Sequence, residues 1–189
     1  MELSEAIKGR RSVRRFRPDP VPRDVIERIL ELAQWAPSAM NRQDWRFVVA
    51  DGEKKEALLK ITATAFEDFR PILEKNFPDK PKVIDASKRF FETYGGAPVI
   101  VLAYGGHFPT GKEDTYSVSL VVQNLLLAVH DAGLGAVWAD AAAFYKEKEI
   151  NELMDMEGRK LVTLIPIGYP DETPRATPRQ EGRVLWVHN

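Results

Sequence analysis

Residues 8–17 read Lys8-Gly9-Arg10-Arg11-Ser12-Val13-Arg14-Arg15-Phe16-Arg17, which places six basic side chains around one serine. Guanidinium groups offer forked N–H donors that match phosphate oxygens, and a serine hydroxyl adds another donor. The stretch therefore predicts a pocket for one compact phosphate group. On these residues alone, a solvated run of charge or an RNA-binding arm stays open. The whole chain has a net charge of −1, so its remainder is acidic and disfavours nucleic acid as a partner.

Composition excludes several classes of protein. A hydrophobic share of 44% with 29% charged residues is typical of a globular chain, and we predict a single domain over residues 1–189. The chain has no cysteine, which excludes disulfides and thiol nucleophiles. His107, His130 and His188 lie far apart without the spacing of metal ligands, so no metal site is expected. No apolar run approaches the roughly 20 residues of a membrane span, and no signal peptide is recognised, so a cytoplasmic location without membrane partners is expected.

The hydrophobic pattern alternates helices and strands. Helical spacing of apolar residues predicts helices over residues 3–9, 23–36, 53–65, 116–132 and 145–156. Runs of aromatic and β-branched residues predict strands over residues 45–50, 98–104, 135–139 and 161–169. Residues 66–95 contain several prolines and predict separate helical pieces. Because the order begins helix, helix, strand, we predict an α+β fold with a mixed central sheet flanked by helices.

A second polar segment lies between a predicted helix and the first predicted strand. It reads Pro37-Ser38-Ala39-Met40-Asn41-Arg42-Gln43-Asp44-Trp45. Side-chain amides donate and accept hydrogen bonds at once, which suits the edge of a heteroaromatic ring. An ordinary connecting loop is the alternative interpretation.

The two polar segments together resemble the nitroreductase family of FMN-dependent oxidoreductases. The resemblance is carried by Arg10-Arg11-Ser12-Val13-Arg14 and by Pro37-Ser38-x-x-Asn41-x-Gln43-x-Trp45. Later markers follow in the family's order: Gln123-Asn124-Leu125-Leu126-Leu127-Ala128, Gly133-Leu134-Gly135-Ala136-Val137-Trp138, Pro166-Ile167-Gly168-Tyr169-Pro170 and Arg179. The resemblance implies a nitroreductase-like fold and a homodimer, with an extended C-terminal tail wrapping the partner subunit.

The resemblance also implies which residues bind FMN at the subunit interface. Positions matched to the phosphate are Arg10, Ser12 and Arg179, with Arg11 alongside. Arg14 matches a basic position near the N1/O2 edge of the flavin. The loop positions expected to approach the flavin from the partner subunit are Pro37, Ser38, Asn41 and Gln43. The positions expected beside the isoalloxazine are Trp138, Ala139 and Asp140.

The activity implied is reduction of nitroaromatic, quinone or similar electron-poor substrates, with NADH or NADPH as electron donor. Ping-pong hydride transfer through the flavin N5 requires no catalytic side chain. Family branches that carry out reductive dehalogenation or flavin fragmentation are alternatives, as is a non-catalytic flavin carrier. The chain departs from the family at Asp44, where proline is common, which predicts a loop that is less rigid and more acidic.

Overall fold

The computed structural model describes residues 1–108 and 110–187 and consists of one four-stranded sheet between two helical layers; His188 lies outside the described residues. The strands are β1 (Arg46–Ala50), β2 (Val99–Gly105), β3 (Gly135–Ala136) and β4 (Lys160–Gly168). The helices are α1 (Leu3–Gly9), α2 (Arg23–Ala33), α3 (Gly52–Asn76), α4 (Pro81–Thr93), α5 (Thr115–Asp131), α6 (Ala141–Tyr145) and α7 (Glu147–Met154).

Strand β2 runs through the centre of the molecule because both of its faces are apolar. Val99, Val101 and Ala103 pack against α2 and α5 on one side of the sheet. Ile100 and Leu102 pack on the other side, in the core that α3, α4, α6 and α7 complete. Alternate side chains of a strand point to opposite faces, so a continuous apolar run produces a sheet that is covered twice.

The predicted α+β class is confirmed, but the sheet is antiparallel instead of mixed. The strand order is β1-β2-β4-β3, and each neighbouring pair in it is antiparallel. The reason is that two helices, α3 and α4, connect β1 to β2 and return the chain to the end of the sheet from which it left. A single crossover helix would have made the two strands parallel. Among the described residues, the one parallel pairing is the isolated bridge between Ser12 and Ala136.

Several helix boundaries differ from the predicted ones. Helix α3 continues to Asn76 with Pro71 inside it, whereas the proline-rich sequence predicted a break. The predicted helix over residues 145–156 corresponds to the shorter α7, whereas α6 directly before it was not predicted. Strand β3 is only two residues long, although the bridge between Ala139 and Leu164 extends its contact with β4. In the described part of the chain, no helix combines the length and apolar composition needed to cross a bilayer.

Candidate functional site

The basic segment after α1 is extended and is held by backbone hydrogen bonds. The amide of Val13 donates to the carbonyl oxygen of Ala136 over 3.0 Å, and the amide of Phe16 donates to that of Gly95 over 2.9 Å. Val13 and Phe16 are buried, which fixes the apolar side of the segment. The arginines therefore occupy its outer side, as side chains on an anchored backbone.

Six cationic side chains surround a cavity of about 560 Å³ next to this segment. They are Lys8, Arg10, Arg11, Arg14, Arg175 and Arg179, and Ser12 and Thr177 supply hydroxyl groups. No carboxylate is among the described residues that line this cavity. A pocket rich in forked N–H donors and lacking acidic side chains is suited to a phosphate dianion.

The electrostatics of Arg10 indicate that the cavity lacks a balancing anion. Partial burial lowers the pKa of Arg10 below its ordinary value, and the positive charges of Arg179 and Arg11 lower it further. Arginine nevertheless keeps its proton at neutral pH. The protein thus brings together cations that repel one another, and a bound phosphate would relieve this repulsion.

The guanidinium of Arg11 is partly committed to the protein itself. Its Nη1 donates to the carbonyl oxygens of Lys8, Gly9 and Arg10 at 2.7, 3.0 and 2.7 Å. These carbonyls end α1, where a positive charge also complements the helix dipole. Arg11 therefore holds the end of the helix beside the cavity while its other nitrogen atoms remain on the cavity wall.

Two of the arginines of residues 8–17 do not line the cavity. Arg15 pairs with Glu172 over 3.4 Å, and Arg17 pairs with Asp19 over 3.6 Å. Arg15, Arg17 and Asp19 are exposed and Glu172 is half-buried, and ion pairs near the surface contribute little to stability. The structure thus separates Arg15 and Arg17 from the group that surrounds the cavity.

The tail brings Arg175 and Arg179 to the cavity from the far end of the sequence. The amide of Asp171 donates to the carbonyl oxygen of Arg15 over 2.9 Å, so the tail begins alongside the basic segment. Arg179 was a predicted phosphate-binding residue and Lys8 belonged to the predicted basic stretch, whereas Arg175 was not predicted. The signal available for Arg175 was a second arginine four positions earlier in the same proline-rich tail.

The loop of residues 37–43 is folded on itself. Ser38 Oγ accepts a hydrogen bond from the amide of Gln43 at 2.9 Å, and Gln43 Nε2 donates to Asn41 Oδ1 at 2.8 Å. Pro37, Asn41 and Gln43 are exposed. Met40, Asn41 and Gln43 have φ angles of 53°, 52° and 49°, a left-handed conformation that non-glycine residues rarely adopt. Such conformations concentrate at functional sites.

The loop and the cationic cavity lie at opposite ends of α5. Ser117 Oγ, near the start of α5, accepts a hydrogen bond from the amide of Ala39 at 3.3 Å. Arg10 and Arg11 share a smaller cavity with Val129, near the end of α5. Twelve residues separate Ser117 from Val129, or about 18 Å at the helical rise of 1.5 Å per residue. Within one chain, the two predicted halves of the site therefore lie near opposite ends of the same helix.

Residues 138–140 continue the chain from the cavity toward α6. Ala136 pairs with Ser12 of the basic segment, and Trp138 follows Ala136 by two residues along the chain. Trp138 is half-buried against the core, and Asp140 is exposed just before α6. The amide of Ala139 donates to the carbonyl oxygen of Leu164 over 3.0 Å, and its carbonyl oxygen accepts from the amide of Leu164 over 3.1 Å. Ala139 also packs against the core, so its backbone and side chain are both engaged within the protein.

Asp44 is compensated by two arginines, contrary to the expectation of an acidic and less rigid loop. Its carboxylate lies 3.0 Å from Arg42 Nη2 and 3.3 Å from Arg159 Nη2. Arg159 precedes β4, so the end of the loop is tied to the central sheet. Within residues 1–108 and 110–187, no cluster of acidic and histidine side chains is arranged to hold a metal ion.

Comparison with known proteins finds similar sequences over most of the chain. A sequence model of the nitroreductase family matches residues 7–169. The chain is 30% identical to the putative NAD(P)H nitroreductase YfhC of Bacillus subtilis, over 94% of this chain and 89% of the relative. It is 31% identical to the iodotyrosine deiodinase of Thermotoga neapolitana, over 95% of this chain and 94% of the relative.

A solved structure has the same fold. It is an iodotyrosine deiodinase bound to FMN and 3-iodo-L-tyrosine, and it aligns with a TM-score of 0.76 at 28% identity. The alignment covers 99% of this chain and 100% of that chain. Since the family model spans the basic segment, the loop and all four strands, the chain belongs to the nitroreductase family.

Proposed function

We propose that this protein is an FMN-dependent NAD(P)H oxidoreductase that works as a homodimer and reduces electron-poor aromatic or quinone substrates. The observation that carries the proposal is the cavity of about 560 Å³ with six cationic side chains and, among the described residues, no acidic one. Its donor set fits the phosphate of FMN in kind and in charge. Family membership adds the class of reaction. A cytoplasmic location stays a prediction.

In this proposal the cationic cavity binds the cofactor phosphate. Arg10, Arg179 and Ser12 contribute charge and hydrogen-bond donors, while Arg11 holds the end of α1 beside them. FMN, when bound, supplies hydride-transfer chemistry. The chain's own part is therefore to bind and orient the cofactor.

Arg14 has a separate role in the proposal. Glu172 Oε1 accepts a hydrogen bond from the backbone amide of Arg14 at 2.6 Å, which fixes its position at the cavity. The guanidinium itself stays exposed on the cavity wall. A fixed positive charge favours negative charge that develops on a neighbouring ring, so Arg14 would raise the tendency of a bound flavin to be reduced.

The separation between the loop and the cavity supports a homodimer. The loop of one chain lies about 18 Å along α5 from that chain's arginines, so we infer that Asn41 and Gln43 reach the cofactor held by the partner. The tail supports the same inference: Val184, Leu185 and Val187 are 74%, 86% and 85% exposed. Apolar side chains clustered on a surface mark an interface. We propose that this tail wraps the partner subunit.

A second cavity offers a place for the aromatic substrate. It measures about 360 Å³ and lies along α6 next to Asp140. Its walls are mostly apolar and include Phe69, Phe144 and Tyr145. Aromatic side chains pack well against flat rings, which supports an uncharged aromatic or quinone substrate.

The test is an absorbance spectrum followed by an anaerobic titration. Purified protein reconstituted with FMN should bind it, lose its yellow colour with NADH or NADPH, and regain it with a nitroaromatic or a quinone. Protein that does not take up FMN would overturn the proposal. Flavin that binds but resists reduction by both nicotinamides would instead indicate a carrier.

Reductive dehalogenation is the second candidate, favoured by the 31% identity to the deiodinase. The same reduced protein should then release iodide from 3-iodo-L-tyrosine. Release of iodide without reduction of nitroaromatics or quinones would replace the first candidate with the second.

A further inference from the structure

We propose that Asp44 is a positioning residue, which with Arg42 and Arg159 clamps the loop of residues 37–43 so that its amide side chains can reach a cofactor held by the partner's arginines. This inference rests on the proposed function. Asp44 touches neither the cationic cavity nor the loop amides. It acts through the backbone of the residues directly before it.

The clamp is a half-buried group of one carboxylate and two guanidiniums. Asp44 Oδ2 accepts from Arg42 Nη2 at 3.0 Å, and Asp44 Oδ1 accepts from both terminal nitrogens of Arg159 at 3.3 Å. Arg159 Nη1 also donates to the main-chain carbonyl of Asp44 at 3.0 Å. The side chain of Arg42 is 19% exposed, that of Asp44 29% and that of Arg159 26%. Partial burial strengthens such interactions relative to those of exposed ion pairs.

Each arginine of the clamp joins the loop to another part of the molecule. Arg42 Nη2 donates to the carbonyl oxygen of His107 at 2.5 Å, and its guanidinium lies 4.8 Å from the ring centre of Phe108. Arg159 directly precedes β4. The clamp thus connects the loop to the ends of two central strands.

The carboxylate of Asp44 occupies space that exists because residue 106 is glycine. A Cβ atom on Gly106 would overlap Asp44 Oδ2. The close fit restricts the carboxylate to one position. A side chain introduced at residue 106 would therefore displace the carboxylate without a substitution of Asp44 itself.

A clamp is needed because the loop backbone is unfavourable. Met40, Asn41 and Gln43 have the left-handed φ angles that non-glycine residues rarely adopt. Such a conformation persists only where its surroundings fix it. Ser117 holds the first part of the loop through the amide of Ala39. Asp44 and its arginines hold the last part.

The experiment uses Asp44→Asn, the double variant Asp44→Asn/Arg159→Gln, and Gly106→Ala in the full-length chain. Arg42 is itself a trypsin site, so cleavage after Arg42, followed by mass spectrometry of the FMN-free protein, reports on loop order. Titration with FMN gives the dissociation constant. Thermal unfolding of each FMN-free variant shows whether it is folded. The double variant removes the charges of Asp44 and Arg159 together, so Arg159 is not left half-buried without its carboxylate partner. Arg42 loses the carboxylate but keeps its hydrogen bond to the carbonyl oxygen of His107.

Glu74→Gln is the control, because it removes one carboxylate from the surface pair that Arg70 and Glu74 form over 2.8 Å. The three clamp variants should be cleaved faster after Arg42 and should bind FMN about tenfold more weakly, a loss of about 1.4 kcal/mol. The control should match the wild type in both measurements.

Faster cleavage with unchanged FMN affinity in the folded variants would overturn the role toward the cofactor. Unchanged cleavage would overturn the clamp itself. If the wild type binds no FMN, the proposed function fails along with the cofactor part of this inference. In that case the cleavage rates still test the clamp. Failure of the proposed function can therefore be distinguished from failure of the clamp.

Discussion

At the scale of single residues, Arg10 shows a conflict between stability and binding. Arg179 and Arg11 repel its charge and burial disfavours it, so its pKa lies below the ordinary value. The folded chain maintains this arrangement although no carboxylate of the described residues lines the cavity. Residues whose arrangement is unfavourable without a ligand are typical of binding sites.

We expect Arg10→Gln not to lower the melting temperature of the FMN-free protein, because it removes a repelled charge. The same change should weaken FMN binding about 10- to 100-fold, since a hydrogen bond to a charged group contributes about 1.5–3 kcal/mol. Scanning fluorimetry and an FMN titration measure the two effects.

Arg15→Gln serves as the control for Arg10→Gln, because Arg15 pairs with Glu172 outside the cavity. It should leave the flavin content nearly unchanged. An equal loss of binding in both variants would mean that net charge alone, and not the arrangement of the cavity, determines FMN affinity.

Residue-scale prediction from sequence worked where contacts are local. The basic segment and the polar loop are each contiguous, so the sequence alone shows which charged and polar groups each of them contains. The partner of Asp44 was not, because Arg159 lies 115 positions away. An aspartate next to a loop therefore predicted a free acidic group, whereas folding brought an arginine to it.

At the scale of elements, the strands were easier to predict than the helices that connect them. Strand β2 is a continuous apolar run, and its predicted bounds differ from the observed ones by one residue at each end. The predicted length of helix α3 was too short, because Pro71 and the mixed polarity of its second half do not match a helical pattern. Pairing direction was also misjudged, since it depends on whether one helix or two connect a pair of strands.

Gly95 couples the connection after α4 to the basic segment. It has a φ of +66°, and a Cβ atom there would overlap the carbonyl oxygen of Arg14. We expect Gly95→Ala to lower the free energy of unfolding by about 3 kcal/mol, because backbone strain adds to the clash. Urea denaturation measures this change, and FMN affinity should fall with it because Arg14 is displaced.

Gly158→Ala is the matched control for Gly95→Ala. Gly158 has a φ of +78°, and a Cβ atom added there would meet no other atom within 4 Å among the described residues. Alanine at this position should cost only the conformational penalty, about 1 kcal/mol, and leave FMN affinity unchanged. Equal losses of unfolding free energy at the two positions would show that the contact between Gly95 and Arg14 does not add to the cost of the substitution.

At the scale of the whole molecule, we propose that two chains share each site. The cationic cavity and the loop are at opposite ends of α5, and each contains residues predicted to touch FMN. The family resemblance implied that the loop reaches the flavin of the partner subunit, but the order of residues alone does not show the separation, since both segments lie within the first 45 residues. It depends on where α5 packs, which is a property of the folded chain.

Mixing two defective chains tests the shared site. One chain carries Arg10→Gln/Arg179→Gln, and the other carries Asn41→Ala/Gln43→Ala. Neither should retain FMN alone. A mixed dimer can be purified through two different tags. It should regain one intact site, because the unmutated cavity of one chain lies beside the unmutated loop of the other. No regain of FMN would place the whole site within one chain.

In the proposed homodimer, the opposite placement of cavity and loop on α5 would make oligomeric state and cofactor supply interdependent. A ligand that contacts both subunits binds only the assembled form, so mass action favours assembly as its free concentration rises. At 100 times the dissociation constant, such a ligand stabilises the form it binds by about 2.7 kcal/mol. Diluting the yellow protein below its assembly range should therefore bleach it with no reductant present, and excess FMN should restore both colour and dimer.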